Sequence, residues 1–190
     1  MNRTMTYFNL HRTLYSGIGF TLAFFLYVSL VLGHFSSCFT LDVGANSLGL
    51  SFYYTQDMVQ DFFGSRTQEQ LLCYGQFLQV WDVIFAVIYT LMYACWIMYF
   101  FNKRRLLLFI PVLGMIADWA ENYVELLMLE FYLNSNPIPE MLVSLGSGIN
   151  SFKWSLSVLT YLLILLGIVM ALIRLLRKSK RYKKLGLPNG

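Results

Sequence analysis

Four polar residues, Asp118, Glu121, Asn122 and Glu125, interrupt the otherwise apolar stretch GMIADWAENYVELLML at residues 114–129. At 100° per residue they fall within about 100° of arc on one helix face. Carboxylates held together away from water couple electrically, so one of them keeps a proton or meets a cation. Such groups serve proton relays, cation sites and general acid–base pairs. They also form ion networks that only hold helices together, and the elements that position them decide between the two.

Two further charges stand at the same level. At 1.5 Å per residue, Asp118 and Glu125 are about 20 and 30 Å from Arg105. Asp82 is about 30 Å from the far end of its own apolar segment, and Lys153 about 31 Å from Arg174. The expected binding residues are therefore Asp82, Asp118, Glu121, Asn122 and Lys153, with Lys153 the counter-ion of Asp118 or Glu121. Gly146, Asn150, Lys153, Ser157 and Thr160 share one helix face. Ser144, Ser147, Ser151 and Ser155 form a second face with the small-residue spacing that suits close helix packing. Tyr89 and Tyr93 offer hydroxyl donors. His11 and His34 lie far from the acids, and no D-x-D or E-x-x-H spacing occurs, so no metal site is expected. No catalytic triad, phosphate loop or dinucleotide fingerprint appears either, and the motifs specify neither a cofactor nor a reaction.

Composition names the solvent. The 190 residues are 57% hydrophobic, 17% aromatic and only 13% charged, with mean hydropathy +0.57. Soluble proteins carry about 25% charged residues, so a chain of this kind lacks the polar surface to cover itself in water. A membrane helix needs about 20 predominantly apolar residues. The sequence supplies four, at about 13–34, 80–102, 106–131 and 142–174. The expected fold class is all-α: a single domain over residues 1–190, a four-helix transmembrane bundle. A basic tail follows at residues 174–190.

Charge sets the orientation. Of 14 Lys and Arg residues, seven lie at 174–184, three form the run KRR at 103–105, and Arg3 and Arg12 precede the first span. The positive-inside rule then places both termini and the KRR loop in the cytoplasm, leaving Arg66 and Lys153 on the other side. Basic clusters beside spans are lipid contacts and topology signals, which argues against nucleic acid as a partner. A bacterial inner membrane fits this layout, and an endoplasmic reticulum membrane satisfies the same rule.

Residues 35–79 form the one large exoplasmic loop, with Asp42, Asp57, Asp61 and Glu69 against Arg66. In YTQDMVQDFFG, Thr55 is the expected N-cap of an amphipathic helix. Met58, Val59, Phe62 and Phe63 lie on its apolar face, and Gly64 is its expected stop. That helix lies on the membrane or caps the bundle, as a plug or as a lid. Thr67 and Gln70 are spaced as a capping box, starting a helix that runs on into the second span. Cys38 and Cys73 share the loop and are a candidate disulfide in an oxidising compartment, whereas Cys95 lies within a span.

These elements resemble a group of small, functionally uncharacterised four-span bacterial membrane proteins. The pattern is a YT or YS amphipathic helix in the first loop, an aspartate opening span two, D-[WY]-x-E-N in span three and a serine-to-lysine stretch opening span four. Here they read YYTQDMVQDFFG, Asp82 in VWDVIF, DWAEN at 118–122 and SFKW at 151–154. A proline is expected soon after the span-two aspartate, and this chain has none. The resemblance implies that the four elements belong together; it implies no activity.

The expectation is a polar pocket in the exoplasmic half of the bundle that binds a small polar molecule, a lipid headgroup or protons. The alternative is an accessory or assembly protein whose charges only set helix register. The partners are the lipid bilayer and that ligand or lipid, with a second copy or a partner membrane protein under the alternative. A transporter is disfavoured for a single copy, because four spans leave little room for alternating access.

Overall fold

A computed structural model describes residues 3–41, 47–102 and 104–184, with side chains described between residues 11 and 177 of these. Asp42, Lys103 and the end of the basic tail lie outside the described residues, as does the side chain of Arg3. The described chain is all-α. Four helices are long and apolar enough to cross a membrane, over His11–Ser36, Gln68–Phe101, Arg105–Leu133 and Glu140–Arg177.

Helix α1 comprises Arg3–Leu26, a π-helical stretch Tyr27–Leu32 and Gly33–Ser36. The short α2, Gln56–Gly64, lies in the first loop. Helix α3 runs from Gln68–Gln76 through a second π-helical stretch, Phe77–Asp82, into Val83–Phe101. Helix α4 is Phe109–Leu133, entered through a 3-10 turn at Arg105–Leu108, and α5 is Glu140–Lys184. The spans were expected to begin and end at about the limits of the apolar segments. As the capping box implied, α3 starts a dozen residues before its apolar segment, at Gln68, where Thr67 and Gln70 satisfy its first amides, and it runs on into the span.

The packing is uneven. Helices α4 and α5 pack closely on each other and both on α3, whereas α1 packs mainly along α3. Leu22, Phe25 and Leu30 on α1 and Leu162, Leu165 and Leu172 on α5 remain exposed. Helices bearing such apolar surface fit a multi-pass membrane protein, where lipid covers it.

The apolar core sits at one end. It joins Phe39, Val59, Phe63, Leu71, Met128 and Val143, from both loops and three helices. Water drives burial only outside the hydrocarbon, where lipid tails are no better than leucine. A dense core beneath a cap follows from that difference. Thr55 caps α2 by accepting from the Met58 amide, and Val59, Phe62 and Phe63 turn inward while Asp57 and Asp61 face out. Met58 is only partly buried. The expected glycine stop is corrected: Gly64 is still helical, no left-handed φ occurs there, and Ser65 ends the helix at φ −80°. Helix α4 closes without a glycine. Ser135 takes the left-handed position at φ 57°, with Asn136 N–H donating to Phe131 O and Ser135 N–H to Tyr132 O, a Schellman closure.

Two covalent or ionic ties secure the cap. Cys38, just past α1, and Cys73, in the first turns of α3, are disulfide-bonded across 35 residues. Arg66 is buried and donates from Nε to Phe39 O at 2.8 Å and from Nη1 to Phe62 O at 2.7 Å, its guanidinium 3.6 Å over the Phe62 ring. Burial lowers its pKa from the usual arginine value, and the nearby Tyr74 phenol acts in the opposite direction. An inserted arginine therefore fastens the disulfide loop to α2 rather than signalling topology.

The segment from Ser51 to Tyr54 lies on the serine face of α5. Asn150 Nδ2 donates to Ser51 O at 2.6 Å, Ser151 Oγ to Phe52 O at 3.0 Å, and the Tyr54 amide to Ser147 Oγ at 3.0 Å. The small residues expected to admit another helix admit a loop backbone instead. Gly146 is the closest approach: a methyl there would lie on the Tyr54 hydroxyl and 2.9 Å from Val124 Cγ1. Gly146→Ala is expected to cost about 1–3 kcal/mol through overpacking. The Tyr54 hydroxyl has no hydrogen-bond partner, so adding Tyr54→Phe should recover part of the loss. Unfolding in detergent by far-UV circular dichroism measures both; no recovery would mean that the backbone, not the hydroxyl, sets the spacing.

Candidate functional site

The π-helical stretch of α3 positions the first member. A π turn widens the helix by one residue, leaves carbonyls under-satisfied and is frequent at functional sites. Asn122 of α4 donates to one of those carbonyls, Leu78 O at 3.4 Å, and to Asp82 Oδ2 at 2.8 Å. On the other side, the Tyr27 hydroxyl donates to Trp81 O at 2.8 Å from the π turn of α1. The paired irregularities hold Asp82 toward α4 without the proline that the resemblance implies.

Asp118 lies one helical turn deeper than Asn122. Its Oδ2 accepts from the Tyr89 hydroxyl at 3.0 Å, and its Oδ1 is 3.1 Å from Lys153 Nζ. Lys153 also pairs with Glu121 Oε2 and reaches Gly49 O at 3.4 Å. The lysine thus bridges both acids, where the sequence offered them as alternatives. Tyr93 does not join the cluster; its hydroxyl donates to Tyr161 at 2.6 Å.

The structure adds three elements that sequence reasoning missed. The 3-10 turn Leu48–Leu50 closes over the cluster, and Gly49 O accepts from Trp154 Nε1 at 3.0 Å as well as from the lysine. A Cβ on Gly49 would stand 3.0 Å from Glu121 Oε1, so any other residue there would push the Glu121 carboxyl by a few tenths of an ångström. Glu125 is the second addition. It was placed near the boundary by depth alone, yet it is fully buried and its Oε2 accepts from Tyr74, itself 3.3 Å from Ser47 Oγ. The third is Tyr54, packed nearby; burial first, then the Glu125 and Glu121 charges, hold its phenol well above the usual range and therefore neutral. One cue to Glu125 was available, its place on the DWAEN face. None pointed to Gly49 or Tyr74.

Glu121 Oε1 and Glu125 Oε1 are buried without a donor. They are one turn apart on α4, and each carboxyl's other oxygen is engaged. One proton shared between the pair satisfies both.

Beside the cluster is a cavity of about 500 Å³, within the range of small-molecule sites. Asp82, Asp118, Asn122, Glu125, Lys153 and Ser157 make its polar side. Phe24, Val28 and Leu32 of α1, with Phe77 and Phe85 of α3, make its apolar side. Glu121 does not line it. The five residues expected at the site are thus brought together, four of them on the cavity and Glu121 sealed behind Lys153 and Gly49. Among the described residues no three His, Cys, Asp or Glu side chains converge as a metal site, and the cavity's donors and acceptors suit a hydrogen-bonding or cationic group. Comparison with protein-family models, curated proteins and solved structures finds no match, and the site stands on this chain's own residues.

Proposed function

We propose that the protein is an integral membrane protein, both termini cytoplasmic, whose cavity in the exoplasmic half binds a small polar group: a polar molecule, a lipid headgroup or protons. One observation carries this reading. Asp82, Asp118, Asn122, Glu125 and Lys153, from three helices, border one cavity rather than filling it. A network built only to set helix register would close on itself.

Intramembrane charges cost roughly 3 kcal/mol or more each and mark functional sites by default. Their roles divide. Lys153, held by two acids and a carbonyl, is the counter-ion. Asp118 and Asp82 face the cavity as cation or hydrogen-bond acceptors, and Asn122 fixes the Asp82 carboxylate. The Glu121–Glu125 pair is a store for one proton.

One observation favours the accessory reading: Glu121 is sealed and paired with Lys153, and the lysine pins the loop at Gly49. That half of the cluster is structural under either reading. Native mass spectrometry of the gently purified protein beside Asp118→Asn separates them. The expected result is a bound small molecule or lipid on the wild type, lost from an equally folded variant. Identical bound species on both, with a partner protein held only by the wild type, would establish the accessory role instead.

A further inference from the structure

The cavity has two chemically different halves and a side that protein does not close. Val28 of α1 is 37% exposed and Tyr161 of α5 is 51% exposed, though both line it. These helices scarcely pack on each other; α1 rests on α3. The gap between them therefore faces sideways, toward surrounding lipid in the proposed orientation. On another side the Leu48–Leu50 turn, tied to Lys153 and Trp154, lines the cavity near the disulfide-bonded cap.

Charge along the polar side is unequal. Asp118 has Lys153 and Tyr89. Asp82 forms no ion pair among the described residues, its side-chain donor being the Asn122 amide. Glu125 is already served by Tyr74 and by the proton it shares with Glu121. Asp82 therefore wants a cation with several N–H groups, and Phe24, Val28 and Leu32 want hydrocarbon.

We infer that the cavity binds one amphipathic lipid, entering sideways between α1 and α5, with a primary ammonium headgroup against Asp82 and an acyl chain along Phe24, Val28 and Leu32. This rests on the proposed reading of the cavity and adds the ligand class and its route. A primary ammonium supplies three N–H donors and a positive charge, which gives short, strong bonds to carboxylates. A purely anionic headgroup meets Asp82 and Asp118 while Lys153 is already engaged twice. A water-soluble amine shares the headgroup chemistry but leaves the apolar wall unfilled.

The test uses the full chain in phosphatidylcholine nanodiscs doped with a phosphatidylethanolamine carrying a diazirine on one acyl chain. A phosphatidylglycerol with the same diazirine chain is the comparison. After illumination, peptide mapping should place the ethanolamine probe on residues 24–32 and 154–161, about tenfold above the glycerol probe, the factor that 1.4 kcal/mol confers. Asp82→Asn should bring the two probes to parity. Val28→Trp, on the apolar side of the slot and without any hydrogen bond to the carboxylates, should fill it and remove labelling by both while leaving the melting temperature unchanged. Equal labelling of the wild type by both probes overturns ammonium recognition. Absent slot labelling, with glycerophosphoethanolamine raising the melting temperature, overturns the lateral route but leaves a polar pocket. Failure of every probe, together with no ligand difference for Asp118→Asn, removes the pocket reading itself.

Discussion

Lys153→Met should cost about 3–5 kcal/mol of stability, the usual penalty for leaving buried charges without their partner. The lysine sits between Asp118 at 3.1 Å and Glu121, and it also holds Gly49 O. Removing it leaves two acids facing each other across an uncharged thioether and releases the turn that closes the site. Asp118→Asn with Glu121→Gln should restore much of the loss, because replacing a whole buried ion set is often neutral while breaking one is not. Thermal and denaturant unfolding in detergent would measure both. An unshifted Lys153→Met transition would show that water reaches the cluster and screens it.

The second large effect is covalent. Converting Cys38 and Cys73 to serine opens a link spanning 35 residues, for which chain entropy predicts a loss of about 3–4 kcal/mol. The loss falls on a defined region. Phe39, Tyr74 and Phe77 stack edge-on beside the disulfide, and Arg66 binds Phe39 O. Their packing should loosen together while α4 and α5 keep theirs. Hydrogen exchange with mass spectrometry should therefore show faster exchange across α2 and the first turns of α3, and unchanged exchange in residues 150–165. Uniform acceleration across all helices would show that the cap is not a separate unit of stability.

Local, periodic features were legible. The apolar runs marked four helices, the DWAEN spacing put four polar groups on one face, and the Thr55 and Thr67 caps started helices where their side chains demanded. What was hidden depends on contacts far apart in sequence. Nothing in SLGLSF shows that its last two carbonyls will lie on Asn150 and Ser151, about a hundred residues away. Small residues read alike whether a helix or a loop backbone approaches, which is why the serine face was assigned the wrong neighbour. The π turn at Phe77–Asp82 has no composition signature either; side chains from α1 and α4 stabilise it. Glu125 illustrates the same limit, since depth along a helix says nothing of the cap above it.

The spacing of the central ion set bears on how the chain is made. Glu121 and Lys153 are 32 residues apart, and translation proceeds at about 5–20 residues per second. For some seconds, the segment that becomes α4 exists with its carboxyls and without the only amine that matches them. Alone it is a poor substrate for partition into hydrocarbon, whereas the most apolar segment, α5, follows after the six-residue turn at 134–139. Under the proposed membrane reading, the unit that a translocation channel releases sideways is then the α4–α5 hairpin, already ion-paired, docking onto an α1–α3 hairpin that has been waiting for it.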